Sequence, residues 1–244
     1  MTHDNEISPG VRIAGLGLWI EKEKALVISD LHLGYEEMLN KQGVMMPRFN
    51  FEKIKKTLKQ MFRPLGKVEK AIINGDLKHE FGTISDQEWA EVIEMLRFIG
   101  RNCGGIVLVK GNHDTILGPI AKWHGLEITD EYYIESEKTL IVHGDKLPEG
   151  KNFGKAGRII IGNEHPAVLL TQGARGEKFK CFLKGEFEGK ELIVLPSMNF
   201  CAEGTDVLNE GPISPVLKKV NLEEFEAWLV EEKPYYFGKL RGLD

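Results

Sequence analysis

Cysteine is scarce: the 244-residue chain holds 3, at Cys103, Cys181 and Cys201. They stand too far apart for a disulfide framework or a C-x-x-C metal site, which points to reduced thiols and a cytoplasmic location. No stretch approaches the roughly 20 apolar residues that a spanning helix requires, and no N-terminal segment has the apolar core of a secretion signal. No membrane partner is expected. An excess of positive charge is also missing, since the formal net charge is -5. That balance argues against gripping nucleic acid through net charge alone, although a local basic groove stays open. Internal repeats, low-complexity tracts and a clear interdomain linker are absent too. With 42% hydrophobic residues, residues 1–244 are expected to form a single domain with a sizeable core.

Histidine, in contrast, is concentrated. Of 7 histidines, five (His32, His79, His113, His143 and His165) lie in or just after short apolar runs, and only His3 and His124 do not. Four blocks stand out: Asp30-Leu31-His32, Gly75-Asp76-Leu77-Lys78-His79, Gly111-Asn112-His113-Asp114 and His143-Gly144-Asp145. Each follows a run rich in Val and Ile (25–29, 71–74, 106–110 and 139–142), the signature of a buried strand. Strand ends are rigid platforms that can aim Asp, Asn and His at one point.

Between these blocks the pattern turns helical. Tyr35, Met38 and Leu39 fall at helical spacing, and Phe51, Ile54, Leu58 and Met61 form an amphipathic stripe predicted to end at Pro64. Ser85 and Glu88 resemble a capping box ahead of Trp89, Val92, Ile93, Leu96 and Ile99. Strand, motif and helix in alternation imply parallel strands joined by right-handed crossovers, with a site at their carboxyl ends. From Thr139 onward short strands dominate, with a Gly-rich turn at 185–190. A late helix is expected at Leu222, Phe225 and Leu229, capped by Asn221. The fold class is therefore α/β, with two mixed sheets packed face to face and helices outside.

Asp, Asn and His without Cys make a hard-to-borderline ligand set, suited to Mn²⁺, Fe²⁺ or Zn²⁺ rather than to a structural thiolate zinc site. A carboxylate can bridge two ions, and Asp76, at the end of the middle strand of three, is the candidate bridge. Two metals about 3.5–4 Å apart can clamp the attacking and departing oxygens of phosphoryl transfer. The acid that protonates the leaving group must stand beside the metals without binding them, and His113, adjacent to Asn112, meets that demand.

These ordered blocks, D-x-H, G-D-x-x-H, G-N-H-D, H-G-D and a final x-x-H-P ending at Pro166, resemble the calcineurin-like metallophosphoesterase superfamily. The resemblance implies a four-layer α/β/β/α sandwich with two divalent metal ions, Mn foremost and Fe, Zn or Ni as alternatives. It implies one ion held by Asp30, His32, Asp76 and His165, the other by Asp76, Asn112 and His143, and His113 as general acid with Asp114 among its supports. The implied reaction is hydrolysis of phosphodiesters or phosphomonoesters by a hydroxide held between the metals. The substrate is either a small molecule or nucleic acid. In the nuclease branch the histidine of G-D-x-x-H assists catalysis, and His79 matches it, the rival reading being a solvated loop residue. Arg48, in a segment that is similar to archaeal and DNA-ligase-linked phosphoesterases, either receives a substrate phosphate or stays solvated. One departure stands out: where the family has G-H-x-H, this chain has Gly162-Asn163-Glu164-His165, so either the Asn163 amide oxygen, a weaker ligand than imidazole, or Glu164 completes the second metal site, the alternative for Glu164 being to face solvent.

Other readings complete the picture. Lys53, Lys55, Lys56 and Lys59 form a solvated helix face, and His124 is structural. A homodimer through exposed Trp or Phe residues is an open expectation. The rival class is a binding scaffold with a degraded metal site, as in the retromer subunit of the superfamily, against which the retained His113 speaks.

Overall fold

A computed structural model describes residues 5–80, 85–115, 126–172 and 175–242; His124 lies outside them. The first sheet contains β1 (Glu6–Ser8), β2 (Val11–Ala14), β3 (Gly17–Ile20), β4 (Ala25–Ile28), β5 (Lys70–Asn74), β6 (Ile106–Val109) and β7 (Leu126–Thr129), in space as in sequence. Its strands are antiparallel as far as β4 and parallel from β4 to β7. The crossovers carry α1 (Tyr35–Lys41), α2 (Asn50–Leu65) and α3 (Asp86–Gly100). Asp30, Asp76 and Asn112 thus follow the carboxyl ends of three neighbouring parallel strands, β5 being the middle one.

The second sheet uses β8 (Tyr132–Ile134), β9 (Thr139–Ile141), β10 (Arg158–Ile161), β11 (Pro166–Gln172), β12 (Arg175–Phe187), β13 (Lys190–Val194), β14 (Thr205–Asp206), β15 (Glu226–Val230) and β16 (Pro234–Lys239). β10 is parallel to β9 and β13, whereas β12 is antiparallel to β11, β13 and β15. Successive side chains of a strand point to opposite faces, and burial follows that alternation. Ile160, Phe182, Ile193 and Trp228 join the core cluster of the first sheet, which also holds Ile54 and Leu58 of α2 and Val92 and Leu96 of α3. Their neighbours Ile159, Ile161, Cys181, Leu183 and Leu192 form a second cluster with Val216, Leu217, Phe225 and Leu240. Phe153 of α4 (Gly150–Lys155) packs on that outer cluster. Two mixed sheets flanked by helices result, as the sequence implied.

Three local expectations are corrected. The late helix does not form: Asn221 Oδ1 does accept the Glu223 amide at 3.1 Å, but only the short 3-10 turn Leu222–Glu224 follows, and then β15. Both faces of β15 are covered, since Ala227 and Leu229 belong to the outer cluster and Trp228 and Val230 to the inner one. A run buried on both faces loses the alternation that distinguishes strand from helix. α2 continues past the expected stop and takes Pro64 into its last turn. β12 runs through Gly185, where an added Cβ would meet the Phe225 ring at 2.4 Å, so that glycine marks close packing and the turn comes later.

Candidate metal centre

Asp30, His32, Asp76, Asn163 and His165 have φ of 57°, 45°, 51°, 60° and 52°. Among the described residues eight non-glycine positions have positive φ, and these five are gathered in one place. Asp, Asn and His tolerate the left-handed region better than most residues, yet each such position costs on the order of 1–3 kcal/mol and persists only where the surroundings enforce it. The enforcement is visible in the backbone. The Asp30 amide donates to Gly75 O at 3.1 Å, the His32 amide to Asp76 O at 2.9 Å and the Asn199 amide to Asp30 O at 3.1 Å. Ser29 Oγ donates to Asn74 O at 2.7 Å, and Ser197 Oγ to Asp30 O at 2.8 Å.

The side chains held this way converge. His165 Nε2 lies 3.1 Å from Asp30 Oδ1 and 3.4 Å from His32 Nε2. Asp76 Oδ2 lies 3.6 Å from His32 Nε2 and 3.3 Å from His143 Nε2, and His143 Nε2 lies 3.2 Å from Asn112 Oδ1. Among the described residues three donor groups form: Asp30–His32–His165 and Asp30–Asp76–His143, which share the Asp30 carboxylate, and His32–His79–His113 beside them. Asp30 and Asp76 are buried, and burying carboxylates is expensive unless they are paired or coordinate a cation. Nitrogen and carboxylate donors a little over 3 Å apart suit ions that bind such ligands at about 2.0–2.2 Å. Asp30, His32, Asp76, His143 and His165 thus offer donor groups suited to divalent cations, with Asn112 Oδ1 beside His143.

The electrostatics are those of a ligand cage. Burial works against ionisation of Asp30, but the imidazoles of His165, His143 and His32 outweigh it and hold the carboxyl well below the usual range. Asp76 is likewise lowered against burial, chiefly by His143. Burial lowers His32 to about 3, helped by His165, and lowers His79 to about 4, helped by His113. His143 moves the other way: its bond to Asp76 and the charges of Asp30 and Asp76 overcome burial and raise it to about 10.

His113 stands beside this cage, with Nε2 3.9 Å from Asp76 Oδ2. Its Nδ1 donates to the carbonyl of His79, which turns Nε2 towards Asp76. Its backbone amide donates to Asp76 Oδ1 at 2.9 Å. Asp114 supports it only indirectly, accepting from the Leu77 amide at 3.1 Å and the Gly111 amide at 3.0 Å and so tying the two motif loops together. The His79 ring stacks on His113 at 4.9 Å and meets Tyr35 edge-on at 4.5 Å, while its Nδ1 is 3.1 Å from His32 Nδ1. His79 is therefore part of the site wall.

The motif glycines have a steric cause. An added Cβ on Gly75 would fall 2.0 Å from His143 Nδ1, and one on Gly111 would fall 2.1 Å from Asp76 Oδ1. Only a residue without Cβ lets these loops close around the ligands.

Other candidates land elsewhere. Arg48 is exposed ahead of α2, where its charge acts on Glu91. Glu164 neither ligates nor faces solvent: it is buried, and its carboxylate accepts from the amides of Ile213 at 2.9 Å and Ser214 at 2.7 Å. Asn163 sends its amide amide nitrogen to Gly144 O at 3.4 Å and its backbone N–H to Asp30 Oδ2 at 3.2 Å. Ser85 does cap α3, accepting from the Glu88 amide at 3.1 Å. Glu88 does not return the bond, because its Oε1 takes the amides of His79 and Glu80, each at 2.9 Å. Sequence reasoning missed Lys78 and Glu88 as parts of the site. Lys78 lies past the end of β5 among Asp76, His79 and Glu80, so no local pattern distinguishes it from a solvated loop lysine.

The calcineurin-like phosphoesterase family model matches residues 23–185. No curated protein matches the chain. Among solved structures, the nuclease MPE of Pseudomonas putida aligns with a TM-score of 0.61 at 19% identity, covering 90% of this chain and 91% of that one. Zinc-bound Vps29 of Entamoeba histolytica aligns at 0.38 and 16% identity, covering 86% and 95%. A predicted phosphoesterase of Streptococcus pneumoniae aligns at 0.33 and 15%, covering 88% and 97%. At these identities the first likeness establishes a shared fold.

Proposed function

The chain belongs to the calcineurin-like phosphoesterase family, and from that premise we propose that it is a two-metal phosphohydrolase acting on phosphodiesters, nucleic acid among them. The observation that carries the reading is Asp76 Oδ2, placed between His32 Nε2 and His143 Nε2 at 3.6 and 3.3 Å, with His113 Nε2 3.9 Å away. One oxygen of Asp76 thus lies between a histidine of each donor group, the groups themselves sharing Asp30, and faces the proposed proton donor.

When bound, a pair of divalent ions, Mn²⁺ first among the candidates, supplies a nucleophile at neutral pH and shields the charge of the phosphate. The protein's own part is positional and protonic. Asp30 and Asp76 are kept ionised by surrounding imidazoles, so neither competes for the proton that the leaving group needs. His113 holds that proton on Nε2, oriented by the bond from Nδ1 to the His79 carbonyl, and hands it to the departing oxygen. His79, stacked on His113, supports a diester substrate, as does the nuclease activity named for the Pseudomonas relative. Arg48 is proposed as an outer phosphate contact, reached from its exposed loop. A cytoplasmic location and a single domain are part of the same proposal, with no described helix long and apolar enough to cross a membrane.

The test is elemental analysis of the purified protein beside a panel of a chromogenic monoester, a diester, cyclic nucleotides and single-stranded DNA in Mn²⁺. Two equivalents of metal with turnover of diesters and DNA are expected. Turnover of monoesters alone defeats the diester preference. A fully loaded protein inert on every member, at every pH tried, returns the chain to the scaffold reading.

A further inference from the structure

Among the described residues Lys78 is one of the largest wholly buried side chains, with 0% exposure. Lysine is almost never fully buried without a partner, and its ammonium here has no carboxylate within salt-bridge distance among the described residues. Its Nζ donates instead to two main-chain carbonyls, those of Glu80 and, at 2.5 Å, His113. The two carbonyls belong to different motif loops. One stands next to His79 and the other is His113's own.

Glu88 completes the arrangement from the first turn of α3. Buried like Lys78, it grips the amides of His79 and Glu80, and its carboxyl feels the Lys78 charge, which counters the upward push of burial. The backbone of His79 and Glu80 is thus held from the amide side by a carboxylate and from the carbonyl side by an ammonium. Charge-assisted hydrogen bonds of this kind are roughly twice as strong as neutral ones. Gly34 leaves room for the clamp, since a Cβ there would fall 2.8 Å from Glu88 Cγ.

We infer that Lys78, backed by Glu88, is a positioning residue that sets His113 for proton delivery by pinning the His113 and Glu80 carbonyls to one buried ammonium. The inference rests on the proposed phosphodiester hydrolysis. It separates from a purely structural role because a displaced acid harms only reactions that need one. A p-nitrophenolate leaves without a proton, whereas a nucleoside alkoxide requires it.

The experiment compares Mn²⁺-loaded wild type with Lys78→Met and Lys78→Gln on a p-nitrophenyl phosphodiester and on a dinucleotide, together with metal content and far-UV circular dichroism. Lys78→Met removes both donors and is expected to lower kcat on the dinucleotide about 100-fold, the scale of an ångström misplacement. Less than about a tenfold loss is expected on the nitrophenyl ester, with KM and metal content unchanged. Lys78→Gln keeps N–H donors without the charge and should recover part of the dinucleotide rate. Should Lys78→Met fail to fold, the same selectivity in Lys78→Gln decides. Equal losses on both substrates, or none, overturn the inference while leaving the proposed function standing. A wild type inert on both substrates ends both readings before any variant is measured.

Discussion

At the scale of single residues, the site is built from side chains whose backbone would relax elsewhere if released. The proton donor and the ligands are separable by substitution. Replacing His113 by Ala is expected to cut kcat about 10²–10⁴-fold with metal content preserved; if the metal is lost, His113 is a ligand. Gly75→Ala sets a methyl 2.0 Å from His143 Nδ1, so elemental analysis should fall towards one equivalent as the second site empties. His143 supplies the pH dependence. Its folded value near 10 stands above the ordinary 6.5, so at neutral pH a proton competes with the cation, and binding releases protons. Metal affinity should therefore rise with pH. In chelated protein, the stability His143 contributes is fully present below 6.5 and lost as pH climbs towards 10. Calorimetry in buffers of different ionisation enthalpy checks the first sign, and thermal melts with chelator check the second.

At the scale of elements, each motif is delivered by the end of a strand or the head of a helix, and the contacts at those ends are specific. The head of α2 is covered by the buried Glu36, whose Oε1 accepts the amides of Phe49 at 2.7 Å and Asn50 at 2.6 Å. Glu36→Ala strands both donors and is expected to cost about 1–3 kcal/mol, read by denaturant unfolding. Ser85→Ala should cost only about 1 kcal/mol, the usual loss of an N-cap, because Glu88 is engaged elsewhere and would stay so. The strands carrying Asp30, Asp76 and Asn112 were legible from their Val and Ile runs, as was the stripe of α2. β15 was not, since a segment apolar on both faces carries no period to read.

At the scale of the whole molecule, the second sheet brings His143 and His165 over the strand ends of the first, and the metal pair would tie the two sheets together. Ligation by residues from both sheets should raise the melting temperature on metal addition, since a ligand at 100 times its Kd stabilises the folded state by about 2.7 kcal/mol. A melt that ignores chelator would count against the centre. β16 is an edge strand of the second sheet, with Tyr235, Tyr236 and Phe237 exposed.

What the sequence alone determined is the kind of chemistry: Asp, Asn and His at strand ends, in an order matched by the family, with glycines wherever a Cβ would strike a ligand. Those features are local, since strand runs, turn residues and motif spacing act within a few positions of one another. Tertiary structure alone decided how the local pieces were spent. It placed Asp76 Oδ2 between imidazoles from two sheets, used Glu164 for the amides of Ile213 and Ser214, turned a helix-spaced tail into a strand, and buried Lys78 beneath His113. Each depends on partners distant along the chain, and the burial and hydrogen bonds that settle them come into being only when the two sheets close.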